Sequence, residues 1–396
     1  MHRSPLASIL CLVPAALGMA ACSSGTAPSG NPRLTARLAA GAFFTCALDH
    51  TGVAFCWGDG SQGQLGDGST ASSNVPVRVQ GGPYVSIAAG TDAACGLRAD
   101  GIIECWGGVP DKCCSQGTGS LFVPTPIATS TPMTQVSVAG PSACAIDQDD
   151  HGFCWGQGLE GALGNGAVFD TTLAPLVPLP GGHAFAALAQ QAFGGCAIDT
   201  DGAAWCWGDD RYGQLGVGDN ADTIRASVPV PVNGGLRFRQ IAAGASYACG
   251  ITTTGQTECW GDNTTGQLGD GTATNRSVPT PVAGSQFVAV FAGSPDNLTD
   301  HTCALAANGT ASCWGLNDRG QLGGTGTDAC PANTCSTTPV FVSAPTPFTT
   351  LALGDLHTCA MDEGGQVYCW GDNEGGQLGD GTTTGHTVPQ LAAFTP

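Results

Sequence analysis

Fourteen of the twenty cysteines in this chain form seven couples at an interval of ten residues, and the second member of each couple opens a Cys-Trp-Gly tripeptide. The couples are Cys46/Cys56, Cys95/Cys105, Cys144/Cys154, Cys196/Cys206, Cys249/Cys259, Cys303/Cys313 and Cys359/Cys369. Cysteines at a fixed interval can ligate metal as thiolates or oxidise to disulfides. Structural zinc needs four converging ligands, usually from short Cys-x-x-Cys spacings, and no histidine recurs beside these couples. Each couple therefore reads as a disulfide, closing a loop worth about 2.5–3 kcal/mol in the chain-entropy account. Such a framework suits an oxidising compartment.

The other residues that could carry chemistry lead to no catalysis. Asp147-Gln148-Asp149-Asp150-His151-Gly152 resembles the start of a calcium loop, but its twelfth position is Gly158, not a carboxylate. Gly58-Asp59-Gly60-Ser61-Gln62-Gly63 matches a dinucleotide-binding glycine pattern without the βαβ unit that gives the pattern meaning. There is no Gly-x-Ser-x-Gly elbow, no His-Glu-x-x-His helix and no Ser-x-Asp-x-Gly-x-x-Trp box. The chain is expected to be no enzyme and to hold no cofactor and no metal.

What must position the cysteines is a repeat. Successive Cys-Trp-Gly units are 49 to 56 residues apart, a period that belongs to solenoids, propellers or arrays. Within the fifth unit, four short apolar segments lie between Gly, Asn, Asp and Thr: A (238–244), B (248–252), C (256–260) and D (279–282). They read as antiparallel strands. Six units place glycine six residues after the first cysteine (Gly52, Gly101, Gly202, Gly255, Gly309, Gly365), and the third places Asp150 there. A three-residue B–C turn ending in a left-handed residue fits that pattern. It sets the cysteines opposite one another at a non-hydrogen-bonded pair, where Cα atoms approach to about 4.5 Å. The tryptophans then point to the other sheet face and are expected to pack one repeat on the next. Proline in segment D suits a sheet edge. Seven four-stranded units imply an all-β, seven-bladed β-propeller with one disulfide inside each blade. Two modes of closure stay open: whole blades, or a last strand lent to the first blade.

The string IAAG-x-x-HT-x-AL … DG-x-V-x-CWG-x-N-x-x-GQLGDGT is similar to the repeat of the regulator of chromosome condensation family. It is clearest over 351–381, at Gly354, His357, Trp370, Gly371, Asn373, Gly376, Gln377, Leu378 and Gly379. The resemblance runs over 34–396 and implies the same seven-bladed fold; His301 and His357 occupy the repeat's own histidine position and are expected to be structural. The Gly-Gln-Leu-Gly element recurs at Gly63, Gly213, Gly266, Gly320 and Gly376, is altered at Gly161-Ala162-Leu163-Gly164, and is absent from the second unit. The paired cysteines look like those of exported bacterial relatives. The resemblance implies functions as different as nucleotide exchange on a small nuclear GTPase, chromatin binding, light sensing and inhibition of a β-lactamase, so fold alone cannot supply function.

Composition narrows the choice. Twelve basic against 31 acidic residues give a net charge of −19, which argues against a nucleic-acid partner, because phosphate is held by Lys and Arg. At the N-terminus His2 and Arg3 precede an apolar run (6–20) too short to span a bilayer, ending in Met19-Ala20-Ala21-Cys22. It resembles a bacterial lipoprotein signal, which implies a lipid on Cys22; cleavage after Ala20 or Ala21 would instead give a secreted protein. The expected organisation is a signal peptide (1–21), a flexible tether (22–33) reaching roughly 20 Å, and the propeller (34–396). The chain is expected to be a monomer, exported to the cell envelope or secreted, and to meet a membrane only through its lipid.

Insertions in repeat proteins tend to cluster on one binding face. Residues 108–120 replace the second unit's Gly-Gln-Leu-Gly loop, 294–300 lengthen the sixth unit between A and B, and 324–338 extend its C–D loop. A–B and C–D loops of a meander emerge on one side, so all three share a rim. The candidate binding residues there are Asp111, Lys112, Gln116, Phe122, Asp296, Asn297, Asp300, Asp328 and Asn333. Cys330 and Cys335 are expected to bridge locally; the adjacent Cys113 and Cys114 to form a vicinal disulfide or meet another protein. The reading is a non-enzymatic envelope or secreted scaffold binding another macromolecule, a protein in the first instance. The alternatives are a secreted enzyme inhibitor, which needs an aromatic contact rim, a glycan-active enzyme, which needs charged side chains converging at the channel mouth, and a nucleotide exchange factor, which needs a nuclear partner and basic surfaces.

Overall fold

A computed structural model describes residues 36–108, 120–218, 224–284, 286–293, 300–324, 328–330 and 334–396. The first repeat forms β1 (Leu38–Ala40), β2 (Phe44–Leu48), β3 (Ala54–Gly58) and β4 (Ser73–Arg78), paired antiparallel in that order. The same meander recurs over 86–126, 133–178, 185–231, 238–281, 289–341 and 348–391. These are the seven blades of a β-propeller. In the sixth blade a short strand, Asp328–Ala329, adds to the outer edge of Thr334–Phe341. The ring closes with whole blades: the first takes all four strands from 38–78 and the last all four from 348–391.

Each B–C hairpin obeys the turn chemistry of its sequence. Asp49 N donates to Val53 O and Gly52 N to Asp49 O, which leaves three residues in the loop. Gly52 takes φ 84° and Asp150, at the equivalent place, φ 66°. The Asp49 carboxylate caps the turn by accepting from Thr51 N and Val53 N.

Counting back from the turn, Cys46 faces Cys56. The same register sets Cys95 opposite Cys105, Cys144 opposite Cys154 and Cys196 opposite Cys206. In the last three blades Cys249 faces Cys259, Cys303 faces Cys313 and Cys359 faces Cys369. All seven couples are joined as disulfides, with Cα atoms 4.0–4.1 Å apart. That is somewhat closer than the ordinary spacing of a non-hydrogen-bonded pair. Cys330 and Cys335 join the added strand to its neighbour.

The core lies in the seams between blades. All seven Cys-Trp-Gly tryptophans are buried, and six donate their indole N–H to a carbonyl of the preceding blade. Trp57 reaches Gln377 O, Trp106 Gln64 O, Trp207 Ala162 O, Trp260 Gln214 O, Trp314 Gln267 O and Trp370 Gln321 O, at 2.8–3.0 Å. The leucine that follows each of these carbonyls is fully buried. The glycine after it must stay bare: a Cβ at Gly269 or Gly379 would lie 2.6 Å from the next indole nitrogen. This is why Gly-Gln-Leu-Gly recurs. The element is a latch whose middle carbonyl, leucine and second glycine each fit the neighbouring tryptophan. No equivalent bond reaches Trp155 among the described residues, at the seam where the second unit lacks the element.

Candidate functional site

Consecutive antiparallel pairing sends the A–B and C–D loops to one face, here the loop face, and the B–C turns and D–A connections to the other, the hairpin face. The cysteine couples belong to neither face. Cys56, Cys105, Cys154, Cys206, Cys259, Cys313 and Cys369 are all 0% exposed, and each partner is equally sunk in a seam. They brace the blades and offer no sulfur to a partner or a metal.

Of the residues expected on the loop rim, Asp111, Lys112, Gln116, Asp296, Asn297 and Asn333 lie outside the described residues, as do Cys22, Cys113 and Cys114. Asp328 lies in the added strand of the sixth blade. Phe122 sits near the start of an outer strand, Leu121–Pro126, 44% exposed. Asp300 is 6% exposed: its carboxylate lies 3.5 Å from Gln267 Nε2 and its backbone oxygen accepts from Leu316 N. It seals the seam between blades five and six instead of facing solvent, and is withdrawn from the rim.

Three apolar side chains that the sequence reading passed over stand on the loop face: Phe43, Tyr212 and Ile224, 43%, 42% and 53% exposed. Phe43 occupies the A–B turn of the first blade; Tyr212 and Ile224 belong to the C–D loop of the fourth. Arg211 pairs with Asp209 and Arg225 with Glu160 beside them, and burial together with Asp209 pushes the Asp210 carboxyl up to about 6. The sequence signal for Tyr212 was a bulky side chain where the seventh repeat has Gly375; Phe43 carried none, since Phe193 and Leu356 fill the same position in other repeats.

Among the described residues the central channel offers nothing catalytic. It encloses about 560 Å³ between the A strands, lined largely by alanines such as Ala36, Ala89, Ala189 and Ala243. Arg37, Asp362 and Glu363 border it, but Arg37 is used on Leu48 O and Asp362 caps a turn through Gln366 N. Asp147, Asp149 and His151 come close enough to share an ion. Asp147, however, spends its oxygens on Asp149 N, His151 N and Thr131 Oγ1, the same turn cap that Asp49 makes.

His301 and His357 are fully buried. Thr358 Oγ1 donates to Gln321 O and Thr45 Oγ1 to Gln377 O, so each hydroxyl accepts from the histidine beside it: His301 Nε2 at 2.8 Å and His357 Nε2 at 2.9 Å. Burial drives both imidazoles down to about 3, with the His357 charge adding to the effect on His301. They are neutral seam rivets, not acid–base groups.

Fold and seams together define a closed seven-bladed propeller of cysteine-clipped, tryptophan-latched repeats with no assembled catalytic group among the described residues. The regulator of chromosome condensation (RCC1) repeat matches residues 51–97, 201–251, 255–305 and 364–396, and a second description of the same repeat matches 36–64, 238–267, 299–321 and 348–377. The chain belongs to the RCC1 repeat family. It is 31% identical over 241 residues to the ultraviolet-B receptor UVR8 of Arabidopsis thaliana, covering 59% of this chain and 52% of that protein. It is 30% identical over 200 residues to the human E3 ubiquitin-protein ligase HERC2, 49% of this chain but 4% of the ligase. The match thus spans about half of the receptor and a small part of the ligase. Among solved structures, human WBSCR16 superposes with a TM-score of 0.74 at 19% identity, over 86% of this chain and 93% of that one. Prp20p of Saccharomyces cerevisiae gives 0.74 at 20% identity, over 87% and 86%. At those identities the likeness concerns the fold.

Proposed function

We propose that this propeller is a non-enzymatic binding scaffold that works outside the cytoplasm, tethered through Cys22 or secreted, and that holds another protein against its loop face. The observation that carries the reading is the exposure of Phe43, Tyr212 and Ile224 on the face from which the A–B and C–D loops emerge. Eight disulfides support an oxidising compartment. Binding of proteins has precedent in Prp20p, described by its binding to Gsp1p and histones. Affinity capture from envelope extract tests it, comparing the wild-type protein with a 326–337 deletion and with Tyr212→Ala/Ile224→Ala. Both variants are expected to lose an interactor that the wild type recovers; equal recovery by all three removes the loop face from consideration. Cys22→Ser with a labelled fatty acid decides between tether and secretion.

A second reading, a secreted enzyme inhibitor, draws on the same side chains, because Phe43, Tyr212 and Ile224 supply the bulky contact that such an inhibitor needs. Inhibition of a purified β-lactamase by the wild type, relieved by Tyr212→Ala, would favour it over a passive scaffold.

A further inference from the structure

Seven copies of one repeat let each blade be checked against the others, and the fifth departs at its hairpin-face end in two ways. In five blades the last residue of the B–C turn gives its carbonyl to the first aromatic or Met of the next blade. Tyr84 N donates to Gly52 O, Met133 N to Gly101 O, Phe185 N to Asp150 O, Phe238 N to Gly202 O and Phe348 N to Gly309 O, at 2.7–2.9 Å. Among the described residues no such bond joins Phe287 N to Gly255 O. A Cβ built on Gly255 meets nothing within 4 Å, whereas at Gly52, Gly101 and Gly309 it would strike the following connection. The fifth turn stands clear of its neighbour with its carbonyl unused.

Three residues along the same hairpin lies Glu258, 7% exposed. Its counterpart in the second blade, Glu104, is equally buried but fully partnered: Tyr84 Oη donates to one carboxylate oxygen at 2.7 Å and Arg98 Nη1 to the other at 3.2 Å. In the fifth blade Phe238 stands where Tyr84 stood and Thr252 where Arg98 stood, and Thr252 is engaged with Gln256. Both donors have been lost and the acceptor kept. Among the described residues Glu258 has no hydrogen bond and no ion pair, and burial holds its carboxyl above the ordinary range. The carboxylate oxygens are not sealed from solvent, so in the free protein water stands in for the two lost donors, and an incoming guanidinium would displace it.

We infer that the hairpin-face end of blade five, on its side toward blade four where Phe238 N meets Gly202 O, is a docking point for an arginine-bearing loop of a partner protein, its guanidinium entering opposite Glu258. Arginine is favoured over lysine because the second blade shows this carboxylate position taking a guanidinium, whose fork matches a carboxylate. A chain of charge −19 also attracts a basic segment. This surface is opposite to the loop face, so it stands or falls independently of the function proposed above.

The chain has only five glutamates, Glu104, Glu160, Glu258, Glu363 and Glu374, so carboxyl-labelled glutamate gives five resolvable carbon signals. The probe is blocked Gly-Arg-Gly, with Gly-citrulline-Gly as the uncharged match. The arginine peptide is expected to move the Glu258 signal saturably and to lower its titration midpoint, and the citrulline peptide to bind at least about tenfold more weakly, the weight of one charge-assisted bond. Glu258→Gln should abolish saturable binding. Phe238→Tyr/Thr252→Arg, which restores the second blade's internal donors, should do so with Glu258 still present. Shifts confined to the exposed Glu363 and Glu374, equal affinity for both peptides, or unchanged binding by the donor-restored variant would each overturn the proposal.

Discussion

The indole latches set the stability of individual positions. Trp314→Phe removes the N–H that reaches Gln267 O and part of a fully buried ring. One net hydrogen bond and a small cavity together should cost about 2–3 kcal/mol in urea unfolding. Gln321 makes the converse case. In four blades the Gln amide donates to an aspartate at the start of its own loop (Asp59, Asp209, Asp262, Asp372), but in the sixth that position is Leu316 and Gln321 Nε2 is buried without a partner. Leu316→Asp is expected to raise stability by about 1 kcal/mol; a loss would show that packing of the leucine outweighs the unmet donor. The buried histidines add a pH dependence. Each would bind a proton near pH 6.5 in the unfolded chain and only near pH 3 in the folded one. Between those values the unfolded state holds more protons, so stability is full above about pH 7 and falls as pH drops toward 3. Denaturation midpoints measured from pH 7 to 4 should decline, and His301→Gln/His357→Gln should flatten the decline.

At the scale of the hairpin, covalent clips and turn geometry act together. Asp150 is held at φ 66°, where glycine is at ease and aspartate is strained. Asp150→Gly should therefore raise the melting temperature, with a gain of no more than about 1 kcal/mol, because its carbonyl bond to Phe185 N survives the change. This element was almost wholly legible in the chain. The ten-residue interval, the turn glycine and the alternation of Cys and Trp fix the register, since a one-residue slip would put tryptophan at the clip and cysteine in the seam. The outer strands were also legible from their prolines. The loop rim was not: Asp300 carries the charge of a surface residue, yet the seam with blade five buries it, and nothing local in its sequence records that neighbour.

For the whole molecule the decisive joint is the closure. Four tryptophans are faced by the aromatic that opens their own blade: Tyr84 on Trp106, Phe238 on Trp260, Phe287 on Trp314 and Phe348 on Trp370, with centroids 5.8–6.2 Å apart. Trp57 is instead faced at 6.1 Å by Phe394, from the far end of the chain, and Gln377 latches the same indole. The ring is thus locked by these side chains together with backbone bonds such as Gly381 N to Asn74 O, and among the described residues no strand is exchanged. Phe394→Ala should cost about 3–5 kcal/mol and raise the quenchability of Trp57 fluorescence, while a comparable loss at a mid-chain seam should leave Trp57 unaffected. An unchanged melting temperature would show that the latch at Gln377 suffices for closure.

The residues in order determined the repeat, the clip, the turn and the blade, because each depends on side chains within about ten positions of one another and on the two-residue period of a strand. The folded ring decided which end supplies the last aromatic, which acids sink into seams, and which blade keeps an acceptor without a donor. Those are facts about adjacent blades, settled by surfaces that meet only once the circle is closed.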